Sequence, residues 1–121
     1  MEVVRLPGGG IVPDVAVDAR GVLHVVYGKG TDGYYTQSVD GGKTFRAPVR
    51  LNRRSKVTVG GERGPKLALG KGGAIQVVWQ GDYRKSGGVW VTRSTDGGKT
   101  FAPERNVLDT KTGIDEPTIT A

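Results

Sequence analysis

"SVDGGKTF" (Ser38–Phe45) and "STDGGKTF" (Ser94–Phe101) are near-identical stretches 56 residues apart. Each carries Gly-Lys-Thr just before its final Phe, as the tail of a phosphate-binding loop does. That loop, G-x-x-x-x-G-K-[ST], needs a glycine five residues before Gly42 or Gly98, and Gln37 and Arg93 stand there instead. It also needs a following helix whose N-terminus faces the phosphate. Here Pro48 and Pro103 follow closely and forbid one. A hairpin turn accounts for every position. Asp-Gly-Gly supplies the positive φ angles of a tight turn, and the Asp carboxylate accepts hydrogen bonds from turn amides. Thr and Phe then resume the strand.

The surrounding chain repeats as well. "PDVAVDARGVLHVVYG" (Pro13–Gly28) aligns with "PKLALGKGGAIQVVWQ" (Pro65–Gln80) at a shift of 52 residues. Val15 and Val17 face Leu67 and Leu69, Gly21 faces Gly73, and Val25-Val26-Tyr27 faces Val77-Val78-Trp79. Farther on, "YYTQS" (Tyr34–Ser38) aligns with "WVTRS" (Trp90–Ser94) at a shift of 56, so the second copy carries four extra residues between the two blocks. A third copy begins at Pro117, again 52 beyond Pro65, and "VVRL" (Val3–Leu6) resembles "PVRL" (Pro48–Leu51).

Each copy reads as four strands. The first is Asp14–Val17 or Lys66–Leu69, apolar at alternate positions. The second is Val22–Tyr27 or Ala74–Trp79, an almost continuous apolar run of a strand covered on both faces. The third is Tyr34–Ser38 or Trp90–Ser94, and the fourth lies near Val49–Leu51 or Arg105–Leu108. No segment carries helical periodicity over a useful length. The 21 glycines, concentrated in Asp-Gly and Gly-Gly pairs, fit many short strands joined by turns. A four-stranded repeat of about fifty residues has the size of a propeller blade.

Composition excludes some functions. Without Cys there is neither a disulfide nor a thiolate metal site. No stretch is long and apolar enough for a membrane span, and the first ten residues lack the apolar core of a signal peptide. The net charge of +6 allows an acidic partner but says nothing about fold. "LNRRSK" (Leu51–Lys56) is basic, yet no aromatic residues interleave it, so nucleic-acid binding is not expected. His24 alternates with Val22 and Val26 in a strand, where packing is the ordinary role. Trp79, Trp90, Tyr34 and Tyr35 occupy strand positions that suit core or inter-blade contact. No cofactor pattern is visible and none is expected.

The doubled stretch is similar to the Asp-box, S-x-D-x-G-x-T-W, of the sialidase-like β-propellers, also called the BNR repeat. The matching residues are Ser38, Asp40, Gly42 and Thr44, then Ser94, Asp96, Gly98 and Thr100; Phe45 and Phe101 stand where the family has Trp. The resemblance covers nearly the whole chain. It implies an all-β fold, here about two four-stranded antiparallel blades of a six-bladed, sialidase-like parent. The parent would be secreted or periplasmic. On this reading residues 1–12 are the end strand of a preceding blade with a linker, 13–52 the first blade, 53–64 an inter-blade loop, 65–108 the second blade, and 109–121 a linker and the first strand of the next. The resemblance also implies that the Asp-box is a structural turn on the face away from the active site.

Alternating connections put the β-turns and Asp-boxes on one face and the remaining loops on the other: Pro7–Pro13, Gly28–Gly33, Asn52–Pro65, Gln80–Gly88 and Asp109–Pro117. That second face gathers Arg53, Arg54, Lys56, Arg63, Arg84 and Lys85 with Asp82, Tyr83, Asp115 and Glu116. Arg forks pair with carboxylates, so an anionic glycan is a candidate ligand, with Arg63, Arg84, Asp82, Tyr83 and Glu116 the candidate contacts; ordinary solvated loops carry such charges too. In sialidases an Arg-Ile-Pro motif supplies one arginine of a triad that grips the sugar carboxylate. "RGP" (Arg63–Pro65) has Arg and Pro at that spacing with Gly for Ile. The family's Tyr–Glu nucleophile pair belongs to later blades that are absent here, so no catalytic residue is assigned and this chain alone is expected to be inactive. A non-catalytic glycan- or protein-binding scaffold is the other reading. Partners are then an anionic glycan, further blades, or a second copy through open strand edges, without simple closure into a perfect ring.

Overall fold

The structure, a computed structural model, describes residues 11–53, 55–57, 64–81 and 88–108. Two four-stranded antiparallel sheets hold all the strands among these residues. The first contains β1 (Ile11–Val17), β2 (Leu23–Lys29), β3 (Asp32–Ser38) and β4 (Val49–Arg50); the second contains β5 (Lys66–Leu69), β6 (Ile75–Gln80), β7 (Val89–Ser94) and β8 (Arg105–Leu108). In both, the strands lie side by side in chain order, so each sheet is a meander. A single 3₁₀ turn at Lys71–Gly73 is the only helical element among the described residues.

The register follows from the side chains. β2 pairs β3 without interruption from Leu23↔Ser38 to Lys29↔Asp32, leaving only Gly30 and Thr31 as the turn. β1 pairs β2 from Asp14 onward, but an irregularity separates that ladder from Ile11↔Gly28. Pro13 sits there, and a proline has no N–H to give to a ladder. In the second sheet β6 pairs β7 from Ile75↔Ser94 to Gln80↔Val89. The four extra residues therefore fall in the connection that follows Gln80. In the first copy the corresponding connection is not the loop Gly28–Gly33 expected between the second and third strands, because Gly28 and Gly33 face each other as a ladder pair.

The two sheets share one core. Val26, Tyr35 and Leu51 of the first copy meet Leu67, Ile75, Val77, Trp79 and Phe101 of the second, with Val57 from the link between them. Side chains two apart on a strand share a face, so Ile75, Val77 and Trp79 form one apolar row aimed at the first sheet. The first strands of the two sheets also touch, and the Leu67 N–H donates to Asp14 Oδ2 at 2.9 Å. The 52-residue repeat thus becomes two like sheets stacked in series.

Candidate functional site

The two Ser-x-Asp-x-Gly-x-Thr turns are nearly superimposable in their bonding. In the first, Ser38 Oγ donates to Asp40 Oδ1 at 2.7 Å and accepts the Gly42 N–H at 2.8 Å. Asp40 Oδ1 also accepts the Thr44 N–H at 2.9 Å, and Oδ2 accepts the Thr44 hydroxyl. The second repeats this with Ser94, Asp96, Gly98 and Thr100. Gly41, Gly42, Gly97 and Gly98 all have positive φ, which is why Gly-Gly recurs at this place. Hydrogen bonds from the Thr44 hydroxyl and amide, then from Ser38, hold the Asp40 carboxyl down at about 2. The same donors of Thr100 and Ser94 hold Asp96 well below the usual carboxylate range. Both oxygens of each carboxylate are engaged inside the turn, so the motif is a cap on its own backbone.

The second turn has an additional task. Gln37 Nε2 donates to the Gly97 carbonyl at 2.9 Å, and Arg46 donates to the Gly98 carbonyl at 3.2 Å. Gly98 lies against the Tyr35 ring so closely that a methyl group there would overlap it. The Phe101 ring packs on Tyr35 with centroids 5.1 Å apart. The turn therefore fastens the second sheet onto the first. Phe45, at the same place in the first copy, is only half-buried.

On the opposite face the link after β4 is knotted to both sheets. Buried Asn52 accepts the Gly33 N–H and donates to Asp32 Oδ1 and to the Ser55 carbonyl. Buried Glu104 accepts the N–H groups of Arg53 and Ser55 and the Ser55 hydroxyl through one carboxylate oxygen. The Trp79 indole N–H donates to Ser55 Oγ at 3.0 Å. Val57 donates its N–H to the Thr31 carbonyl and bridges Gly81. The guanidinium of Arg53, grouped by its charge with a ligand-facing cluster, instead donates to the Phe101 carbonyl at 2.9 Å.

A buried polar chain runs between the sheets near the turns. His24 Nε2 lies 2.9 Å from Asp18 Oδ2, His24 Nδ1 lies 2.7 Å from the Tyr35 hydroxyl, and Gln37 Nε2 donates to that hydroxyl at 2.8 Å. Both ring nitrogens of His24 are thus engaged, one by the Asp18 carboxylate and the other by the Tyr35 hydroxyl. Asp18 also accepts the Arg20 and Val22 N–H groups and so caps the β1–β2 turn. The bond from His24, ahead of those amides, keeps its carboxyl well below the usual range. Burial pushes the Tyr35 hydroxyl up. A cleft of about 570 Å³ borders this chain, with Asp18, Arg20, His24, Leu69, Gly73 and Gly97 in its wall. The cluster ties the β1–β2 turn to β2 and β3 of the first sheet. Only the alternation around His24 hinted at this role; its partners Asp18 and Tyr35 are six and eleven residues away.

The candidate ligand residues Arg63, Arg84, Asp82, Tyr83 and Glu116 lie outside the described residues. The ends of the segments that carry four of them do not: Gly81 and Pro65 sit at the same end of the sheets, where Val57 bridges Gly81 and Pro65 approaches Gly33. Among the described residues no cluster of His, Cys, Asp or Glu is placed to hold a metal, and no helix is long and apolar enough to cross a membrane. No protein-family model matches the chain, and no curated protein does either.

Proposed function

We propose that the chain is a two-blade portion of a sialidase-like β-propeller, without turnover of its own, that binds anionic glycans on the face opposite its Ser-x-Asp-x-Gly-x-Thr turns. The turn face supports this by exclusion: its carboxylates are spent on their own backbones. The observation that carries the reading is at the other end. The 53–64 link, the β2–β3 turn and the connection after Gln80 converge there through Val57, Thr31 and Gly81. Arg63 precedes Gly64-Pro65 and Arg84 follows Gly81 closely in the chain, and Pro65 and Gly81 both belong to this edge. Arginine forks on neighbouring loops suit a sugar carboxylate.

A non-catalytic scaffold is the second reading, favoured by the degree to which the second turn is devoted to fastening sheets. Binding of a sialylated oligosaccharide, followed calorimetrically, separates the two. The glycan reading expects binding that weakens with salt and weakens further in the Arg63→Ala/Arg84→Ala variant, with no hydrolysis of a fluorogenic sialoside. Unchanged affinity in that variant removes this face, and no binding by the wild type leaves the scaffold.

A further inference from the structure

The two copies close their first turn with the same backbone bond. The Asp18 N–H donates to the Val22 carbonyl at 3.1 Å, and the Gly70 N–H to the Ala74 carbonyl at 2.8 Å. The turn itself therefore needs no charged side chain. Yet where the second copy has Gly70, Gly72 and Gln76, the first has Asp18, Arg20 and His24. All three line the cleft of about 570 Å³ that lies between the β1–β2 turn, the end of β5 with the turn after it, and Gly97. Small-molecule sites commonly measure about 300–1,000 Å³. Only one of the three side chains is open to a ligand. Asp18 Oδ1 accepts the Arg20 and Val22 N–H groups, and Oδ2 meets His24 Nε2 at 2.9 Å. The other ring nitrogen of His24 is taken by the Tyr35 hydroxyl. Arg20 differs, because its side chain is 80% exposed. Its guanidinium carries five N–H donors, and among the described residues it makes a single long contact, to Asp18 Oδ2 at 3.4 Å. Lys71, between the wall residues Gly70 and Gly72, is exposed too and adds a second positive charge at the rim. The remaining side chains of the wall, Ala19, Leu69 and Ala74, are apolar.

We propose that this cleft binds a small monocarboxylate with an apolar body, its carboxylate on the Arg20 fork and its body against Leu69 and Ala74. A planar guanidinium with free donors matches a carboxylate bidentately, and the apolar wall removes the rest of the ligand from water. Asp18 does not compete for the same role, since both its oxygens are already bonded within the turn. The site lies on the turn face, away from the edge assigned to the glycan, and does not depend on that assignment. Arg20 follows the first strand of one sheet and Leu69 ends the first strand of the other, so a bound ligand touches both.

Titration of the full chain with benzoate at constant ionic strength, followed by amide NMR shifts, tests this. Benzoate moves the Ala19, Arg20, Gly72 and Gly97 amides in one saturable process, with a dissociation constant of about 1 mM for a ligand of this size. Neutral benzamide, of the same shape, binds at least tenfold more weakly. Arg20→Gln keeps the backbone N–H that Asp18 accepts, keeps the wild-type circular dichroism, and weakens benzoate at least tenfold. Lys43→Gln removes the same charge from the exposed tip of the first Ser-x-Asp-x-Gly-x-Thr turn and leaves the affinity unchanged. Four outcomes overturn the proposal: no saturable shifts at these amides, shifts spread equally over the exposed lysines and arginines, benzamide binding as well as benzoate, or Arg20→Gln binding as well as wild type.

Discussion

Asp40 and Asp96 show how a carboxylate becomes part of a backbone. Each takes a hydroxyl from Ser, and an amide and a hydroxyl from Thr, at two and four residues' separation, so the geometry is local and the ionised form is favoured. Their folded-state pKa values are depressed, so their contribution is complete above the ordinary value of 3.8 and disappears as pH falls toward about 2 for Asp40 and lower for Asp96. Melting temperature is therefore expected to be flat in this respect from neutral pH to about 4 and to fall below it. Asp40→Asn/Asp96→Asn should melt lower at pH 7 and lose part of that acid dependence, with glycan binding untouched. A variant that melts like wild type but no longer binds ligand would move the motif from structure to site. This turn was legible in the sequence because all its bonds lie within seven residues. Glu104 was not: its partners Arg53 and Ser55 are about fifty residues away, and nothing local distinguishes it from a surface glutamate.

The elements were legible where side-chain period and turn chemistry agree. The alternation of Asp14–Val17 and Lys66–Leu69 and the apolar runs before Tyr27 and Trp79 give the strands nearly to their ends. The β2–β3 connection was not: Gly28–Gly33 is expected to be a loop, yet the ladder extends through Gly28↔Gly33 to Lys29↔Asp32, and the turn shrinks to Gly30-Thr31. Identical elements also end in unequal surroundings. Phe101 sits between sheets against Tyr35, whereas Phe45 is only half-buried. Phe101→Ala is expected to cost about 3–5 kcal/mol, the usual range for emptying a buried phenyl site. Phe45→Ala should cost clearly less in the same urea titration. Equal losses would mean that Phe45 is covered as well.

At the scale of the molecule, several separate ties among the described residues join the two sheets, the Leu67–Asp14 bond between first strands among them. The apolar rows of β2–β3 and β6 meet in one core. On one face the second turn receives Gln37 and Arg46; on the other, Glu104 holds the link and Trp79 bonds to Ser55. The ties were only half legible. Repetition in the sequence gives two like sheets but not which face of each is covered, since Val15 and Leu67 are equally apolar and only their neighbours differ. The central claim is that the second Ser-x-Asp-x-Gly-x-Thr turn fastens one sheet to the next. Nuclear Overhauser effects from the Phe101 ring test it most directly. The account predicts cross-peaks from Phe101 to the Tyr35 ring, whose centroid lies 5.1 Å away, together with cross-peaks from the Trp79 indole N–H to Ser55. Cross-peaks from Phe101 confined to residues of its own sheet would contradict it.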